Sequence, residues 1–194
     1  MNKRDFITSA AIAGAASVHP LSAATVGARN PGLLTVSGAI GKSNRGRLDP
    51  ALDQMMVKHG IQFAKAFVFD APALNGLPSI TIKPTLEYDS RVHSLSGPLL
   101  ATVLEAAGVK PGRAVTLGLR AVDGYNVSLS LTDARSYRMI VATHIDDQPL
   151  ALGGLGPQWA VYEADTLAPF RDKPLTERFA LCPWALYHID VKEG

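Results

Sequence analysis

Two runs in the middle of the chain carry the clearest pattern. Val115, Leu117, Leu119 and Ala121 alternate with Ala114, Thr116, Gly118 and Arg120. Tyr125, Val127, Leu129 and Leu131 alternate with Asn126, Ser128 and Ser130. A period of two buries one face of a strand, and Asp123-Gly124 between the runs is a hairpin signal because glycine accepts positive φ. Strands are also predicted over 33–40, 63–70, 79–83, 137–145, 149–152, 159–163 and 185–191, the fourth and fifth joined through Asp146-Asp147-Gln148. Helical spacing appears twice. Asp49-Pro50 opens one helix, with Leu52, Met55, Met56 and His59 on its inner face and Gly60 at its end. Gly97-Pro98 opens the other, with Leu99, Leu100, Val103, Leu104 and Ala107 apolar and Gly108 closing it. Residues 72–78 and 85–96 read as loops. Roughly eight or nine short strands and two helices indicate an α+β domain with a mixed or barrel-like sheet and a few short helices.

The N-terminus has a different character. Lys3-Arg4, the apolar run from Phe6 to Val18 and the small residues Ser22-Ala23-Ala24 match a secretory signal peptide over residues 1–24. The run falls short of the about 20 residues that a membrane span needs. Lys3-Arg4-Asp5-Phe6-Ile7 also looks like a twin-arginine signal with its first arginine replaced. The expectation is an exported, periplasmic protein whose residues 25–194 form a single domain.

Composition narrows the class. The chain has 194 residues, 47% of them hydrophobic and 19% charged, with a formal net charge of +2. That balance gives no electrostatic case for nucleic acid. One cysteine, Cys182, excludes an internal disulfide framework and a thiolate cluster. Walker A, His-Glu-x-x-His and Gly-x-Ser-x-Gly motifs are absent from the sequence.

Four segments, taken in order, carry a resemblance. They are Ser96 to Val109, Asp123 to Leu131, Asp147-Gln148-Pro149-Leu150 leading to Gly156-Pro157-Gln158-Trp159-Ala160-Val161-Tyr162-Glu163, and Trp184 to Val191. They resemble the Gly-x-x-Leu-x-x-x-Leu-x-x-x-Gly-Val helix, the Asp-x-Tyr strand, the Gly-x-Pro-x-Arg segment and the closing Trp-x-x-x-Ile-x-Val strand of the molybdopterin-binding domain of the sulfite oxidase family. The resemblance implies that family's α+β fold with a pterin cleft. It also exposes a departure. The family's oxidoreductases hold molybdenum through one cysteine ahead of the glycine equivalent to Gly97. Counting back places that position near Thr85, in Lys83-Pro84-Thr85-Leu86, where no cysteine stands. A threonine hydroxyl does not replace a thiolate donor. Gln158 and Ala160 stand near a family arginine, which weakens an anion anchor.

A pterin is a flat ring with a guanine-like edge. It asks for an apolar or aromatic wall and for paired acceptors. The candidates are Asp123 and Asp89 for the edge, and Tyr88, Tyr125, Trp159 and Trp184 for stacking. Arg91 and His93, in the loop that would carry the cysteine, could bind a carbonyl or phosphate. Each has a plain alternative. Asp123 suits the hairpin turn, Trp159 and Trp184 suit a core, Arg91 suits a solvated loop, and burial alone explains Tyr125. Cys182 reads as a small buried hydrophobe. The resulting expectation is an exported pterin-binding protein without molybdenum redox catalysis, a ligand sensor or accessory to an envelope or membrane protein. The alternatives are a molybdopterin-dependent oxidoreductase and an interaction module with a vestigial cleft.

Overall fold

The computed structural model describes residues 30–194, so the predicted leader over residues 1–24 lies outside the described residues. In chain order the elements are β1 (Leu34–Gly38), α1 (Gln54–Lys58), β2 (Ala66–Phe69), α2 (Ala71–Asn75), β3 (Ser79–Ile82), β4 (Leu95–Pro98), α3 (Leu100–Ala106) and β5 (Val115–Ala121). They continue with β6 (Asn126–Ser130), α4 (Leu131–Ser136), β7 (Ile140–Ala142), β8 (His144–Ile145), β9 (Gln148–Pro149), β10 (Trp159–Val161) and β11 (Leu186–Glu193). The fold is mixed α+β, mostly sheet, with short helices. The barrel-like expectation needs correction. Among the described residues the strands form three sheets, ordered β2-β1-β11-β5-β6, β3-β4-β8-β9 and β10-β7, and no closed barrel.

The five-stranded sheet is mixed, because β1 runs parallel to β11 while its other pairs are antiparallel. Period-two patterning makes the β5–β6 hairpin. Val115, Leu117, Leu119, Ala121, Val127 and Leu129 are buried, and Leu119 pairs with Val127. Gly124 holds φ +95° at the turn, where a side chain would be strained. The Asp123 carboxylate accepts from the Tyr125 amide at 2.8 Å and so closes the turn.

In the central strand β11 the register shifts at Tyr187. The extra residue turns Tyr187 away from the main core and into a smaller cluster with Leu48, Met56 and Ile61. Beyond the shift Ile189 and Val191 enter the core, so His188, Asp190 and Lys192 point to the other face. The edge strand β2 is closed by a side chain. Asn44 donates its amide to the Val68 carbonyl at 2.8 Å and accepts from the Val68 N–H at 2.7 Å, as a neighbouring strand would.

Several local expectations change. The helix expected from Asp49 is shorter, because Asp49 bonds the amides of Ala51 and Leu52 in a turn and Asp53 takes the Asp49 amide and pairs with Arg45. Met56 alone of its predicted inner face is well buried, and Leu52 is 81% exposed. The strand expected from Phe63 starts at Ala66, and the Phe63 ring stacks on His188 with the Arg45 guanidinium over it. The start of the loop expected over 72–78 belongs instead to α2, because Asp70 caps the Ala73 amide at 2.9 Å and Pro72 suits a first turn. The expected end of the second hairpin strand becomes α4, where Ser130 caps Asp133. Gly97 and Pro98 end β4 instead of opening α3. A Cβ on Gly97 would lie 2.0 Å from the Val141 carbonyl oxygen, so this crossing of β4 and β7 requires glycine. The Asp146-Asp147 turn between β8 and β9 is as expected, with φ of 47° and 63°.

Candidate functional site

The tip of the β5–β6 hairpin faces two other segments across a cavity of about 310 Å³. Asp123 and Tyr125 come from the hairpin. Glu87 and Tyr88 come from the loop after β3, and Thr176, Phe179, Ala180, Cys182 and Trp184 come from the segment entering β11. The Tyr125 hydroxyl donates to the Ala180 carbonyl at 2.7 Å, which fixes the hairpin to the last of these segments. The second Asp123 oxygen has no hydrogen-bond partner among the described residues.

The loop wall is itself held at several points. Leu86 donates to the Arg91 carbonyl at 2.9 Å, His93 to the Pro84 carbonyl at 3.1 Å, and Thr85 bridges Val92. The Thr85 amide donates to Asp165 at 2.6 Å, and Arg178 holds the other oxygen of that carboxylate at 2.6 Å. Outside the cavity, His93 lies between two carboxylates. Its Nδ1 is 2.6 Å from Asp146 and its Nε2 is 2.9 Å from Asp89. The Asp146 and then the Asp89 hydrogen bonds raise the His93 pKa, and the His93 hydrogen bond lowers both acids. This cluster staples the loop to the β8–β9 turn.

Four of the eight residues singled out in the sequence therefore line one cavity: Tyr88, Asp123, Tyr125 and Trp184. The structure does not bring the other four there. Asp89 and His93 belong to the staple, and Arg91 is exposed on the loop. Trp159 is 1% exposed; its indole N–H donates to the Cys182 carbonyl at 2.9 Å, and its ring packs on Phe179 at 6.0 Å. It supports the cavity lining from the core and offers no face to a ligand.

Glu87, Phe179 and Cys182 line the cavity without having been singled out for it. The available signal was nearness in sequence, Glu87 being next to Tyr88 and Cys182 two residues before Trp184. Burial pushes the Cys182 thiol up to about 12, so it stays protonated at neutral pH. Burial, with the Glu87 charge beside it, pushes the Tyr88 phenol up to about 12. No lysine or arginine lines the cavity, and its two carboxylates make it acidic. Among the described residues no group of three His, Cys, Asp or Glu converges to hold a metal ion. A larger hollow, about 820 Å³, lies between Leu33, Arg45, Met55, Met56 and Tyr187; Gln158 lines it, but none of the eight ligand candidates does. The smaller cavity is the candidate site because carboxylates and aromatic rings face each other there.

No family of known proteins and no curated protein sequence matches the chain. Its fold is similar to that of the sulfane dehydrogenase SoxCD from Paracoccus pantotrophus, with a TM-score of 0.54 at 13% identity. The likeness covers 83% of this chain and 38% of that one, so the chain spans well under half the length of its neighbour.

Proposed function

We propose that this domain binds a flat, uncharged or cationic heterocycle of the pterin kind between the β5–β6 hairpin and the 87–88 loop, without molybdenum redox chemistry. The observation that carries the reading is the meeting of Tyr88, Asp123, Tyr125 and Trp184 around one cavity. The free Asp123 oxygen is the acceptor for a ring N–H and amino group, and Tyr88, Tyr125 and Trp184 supply ring faces. The fold likeness to a sulfane dehydrogenase, together with the four sequence segments, supports a distant relation to the sulfite oxidase type of domain.

The residues fit a bare pterin better than the loaded molybdenum cofactor. That cofactor carries a phosphate, and this cavity presents Glu87 and Asp123 with no cation. In the sulfite oxidase family it also takes a protein thiolate, whereas no cysteine stands near Thr85, where counting back places that position, and the Cys182 thiol is held protonated. The leader-like residues 1–24 support export to the periplasm, where the bound state would be presented to an envelope partner as a sensor or accessory protein.

Calorimetric titration with oxidised and reduced pterins tests the reading. Saturable binding of a phosphate-free pterin is expected, and failure of every pterin would overturn it. Stoichiometric molybdenum in protein matured in a host that makes molybdopterin would favour the oxidoreductase alternative.

A further inference from the structure

The face of the five-stranded sheet opposite the main core is polar where β11, β5 and β6 meet. The register places His188 beside Arg120 and Arg120 beside Asn126, with Asp190 beside Gly118 one step along. Gly118 leaves a dent in the middle of this row. A Cβ built there would meet Asp190 at 3.6 Å and Asn126 at 3.9 Å, ordinary contact distances, so neither backbone nor packing demands glycine. A strand glycine often marks a bulge, a bend or a place where a ligand comes close, and the register at Gly118 is regular, with no bulge. The resulting cavity is about 280 Å³, rimmed by Arg120, Asn126, His188, Asp190 and Lys192. It is separate from the proposed pterin cavity, because Tyr125 and Asn126 are successive residues and point to opposite faces.

Two groups on this rim lack protein partners for the atoms they present. Arg120 is half-buried, yet its guanidinium makes one long hydrogen bond, to the Gly124 carbonyl at 3.4 Å, and among the described residues it pairs with no carboxylate. His188 is 2% exposed, and its Nε2 lies 2.9 Å from the Ser37 hydroxyl, while its Nδ1 has no partner among the described residues. Burial, aided by Arg120 and Arg45, depresses the His188 pKa to about 4, so the ring is neutral. The neutral ring donates from one nitrogen and accepts at the other, so Nδ1 serves as donor or acceptor according to which proton Nε2 shares with Ser37. The Arg120 guanidinium is the donor fork suited to a planar carboxylate, and the Asn126 carboxamide oxygen, 3.9 Å from a Cβ built on Gly118, is an acceptor beside the dent. Asp190, 3.7 Å from Lys192, supplies an acceptor beside it.

We propose that this dent binds a small carboxylate bearing an adjacent hydrogen-bond donor, an α-hydroxy or α-amino acid. Arg120 holds the carboxylate, and Asp190 takes the hydroxyl or ammonium group.

The test is a titration of the folded chain with lactate, glycine, acetate and inorganic phosphate, read by the NMR signals of the His188 ring and the Gly118 amide. Saturable shifts are expected with lactate or glycine, and responses about tenfold weaker with acetate and phosphate. Arg120→Gln is expected to weaken binding about tenfold or more, as loss of a charged hydrogen-bond pair does. Gly118→Val fills the dent with a strand-favouring residue and is expected to abolish the shifts while thermal unfolding is unchanged. No saturable shift with lactate or glycine would overturn the proposal, as would shifts that survive both substitutions. Acetate or phosphate binding as tightly would overturn the assigned ligand class. Pterin binding measured on the Gly118→Val variant separates this site from the other one, since Gly118 lines only the dent, whereas Arg120 bonds the Gly124 carbonyl at the hairpin tip.

Discussion

The Tyr125 hydroxyl donates to the Ala180 carbonyl oxygen across 55 residues of chain, and the two residues close one side of the candidate cavity. The bond makes the hairpin tip and the segment entering β11 a single wall. Removing the hydroxyl leaves the ring and frees the carbonyl to water. Tyr125→Phe is expected to lower unfolding stability by about 0.5–1 kcal/mol, the range for one partly exposed neutral hydrogen bond. Chemical denaturation of the two proteins measures it, and an unchanged midpoint would remove this bond from the account of the wall.

The His93 staple gives the loop a pH dependence of definite sign. His93 has a raised pKa, so its contribution is complete below the ordinary value of 6.5 and is lost as pH climbs through the raised value. Asp89 and Asp146 have lowered values, so theirs is present above the ordinary carboxylate range and is lost as pH falls through the lowered values. The loop is therefore pinned most firmly between those limits. Titration of the His93 ring signals by NMR is expected to give a midpoint above 6.5, with Ser94 and Asp146 amide signals moving in step. A midpoint at or below 6.5 would mean that the carboxylates do not hold the ring.

Cys182 is expected to be inert in the folded protein. The residue is 4% exposed and burial pushes its thiol up to about 12, so almost no thiolate is present at neutral pH. A thiol-reactive chromophore should label it only on unfolding. Stoichiometric labelling of the native chain within minutes would contradict the closed, protonated environment.

Gly97→Ala tests the crossing of β4 over β7. The added methyl meets a backbone carbonyl that both strands hold in place, so no flexible side chain can yield. A loss of roughly 2–3 kcal/mol or more is expected from thermal or chemical unfolding. A loss under about 0.5 kcal/mol would show that the two strands separate freely.

The readable parts of this fold were those governed by local chemistry. The β5–β6 hairpin follows from alternation and an Asp-Gly turn, and the buried face of α3 from helical spacing. What escaped was set at a distance. Asp53 pairs with Arg45 and shortens α1, and Phe63 leaves its strand to cover His188. The Gly97-Pro98 pair looks like a helix start until the approach of Val141 explains the glycine. Helices α2 and α4 had legible caps in Asp70 and Ser130, but each is too short to show a helical period. The site divides in the same way. Tyr88, Asp123, Tyr125 and Trp184 stand at loop and turn positions and meet around one cavity. Asp89 and His93 sit as near in sequence and are drawn off by Asp146, a residue that no local pattern connects to them.

The central claim is that Asp123 accepts the hydrogen-bonding edge of a pterin. Asp123→Asn keeps an acceptor for the Tyr125 amide and removes the charge, so the turn should survive. Titration of both proteins with the same phosphate-free pterin, followed by quenching of tryptophan fluorescence through Trp184 at the cavity edge, tests the claim most directly. The account predicts saturable quenching in the native sequence and affinity about tenfold to a hundredfold weaker in the variant, at equal thermal stability. Equal affinity in the two proteins, or no quenching in either, would contradict it.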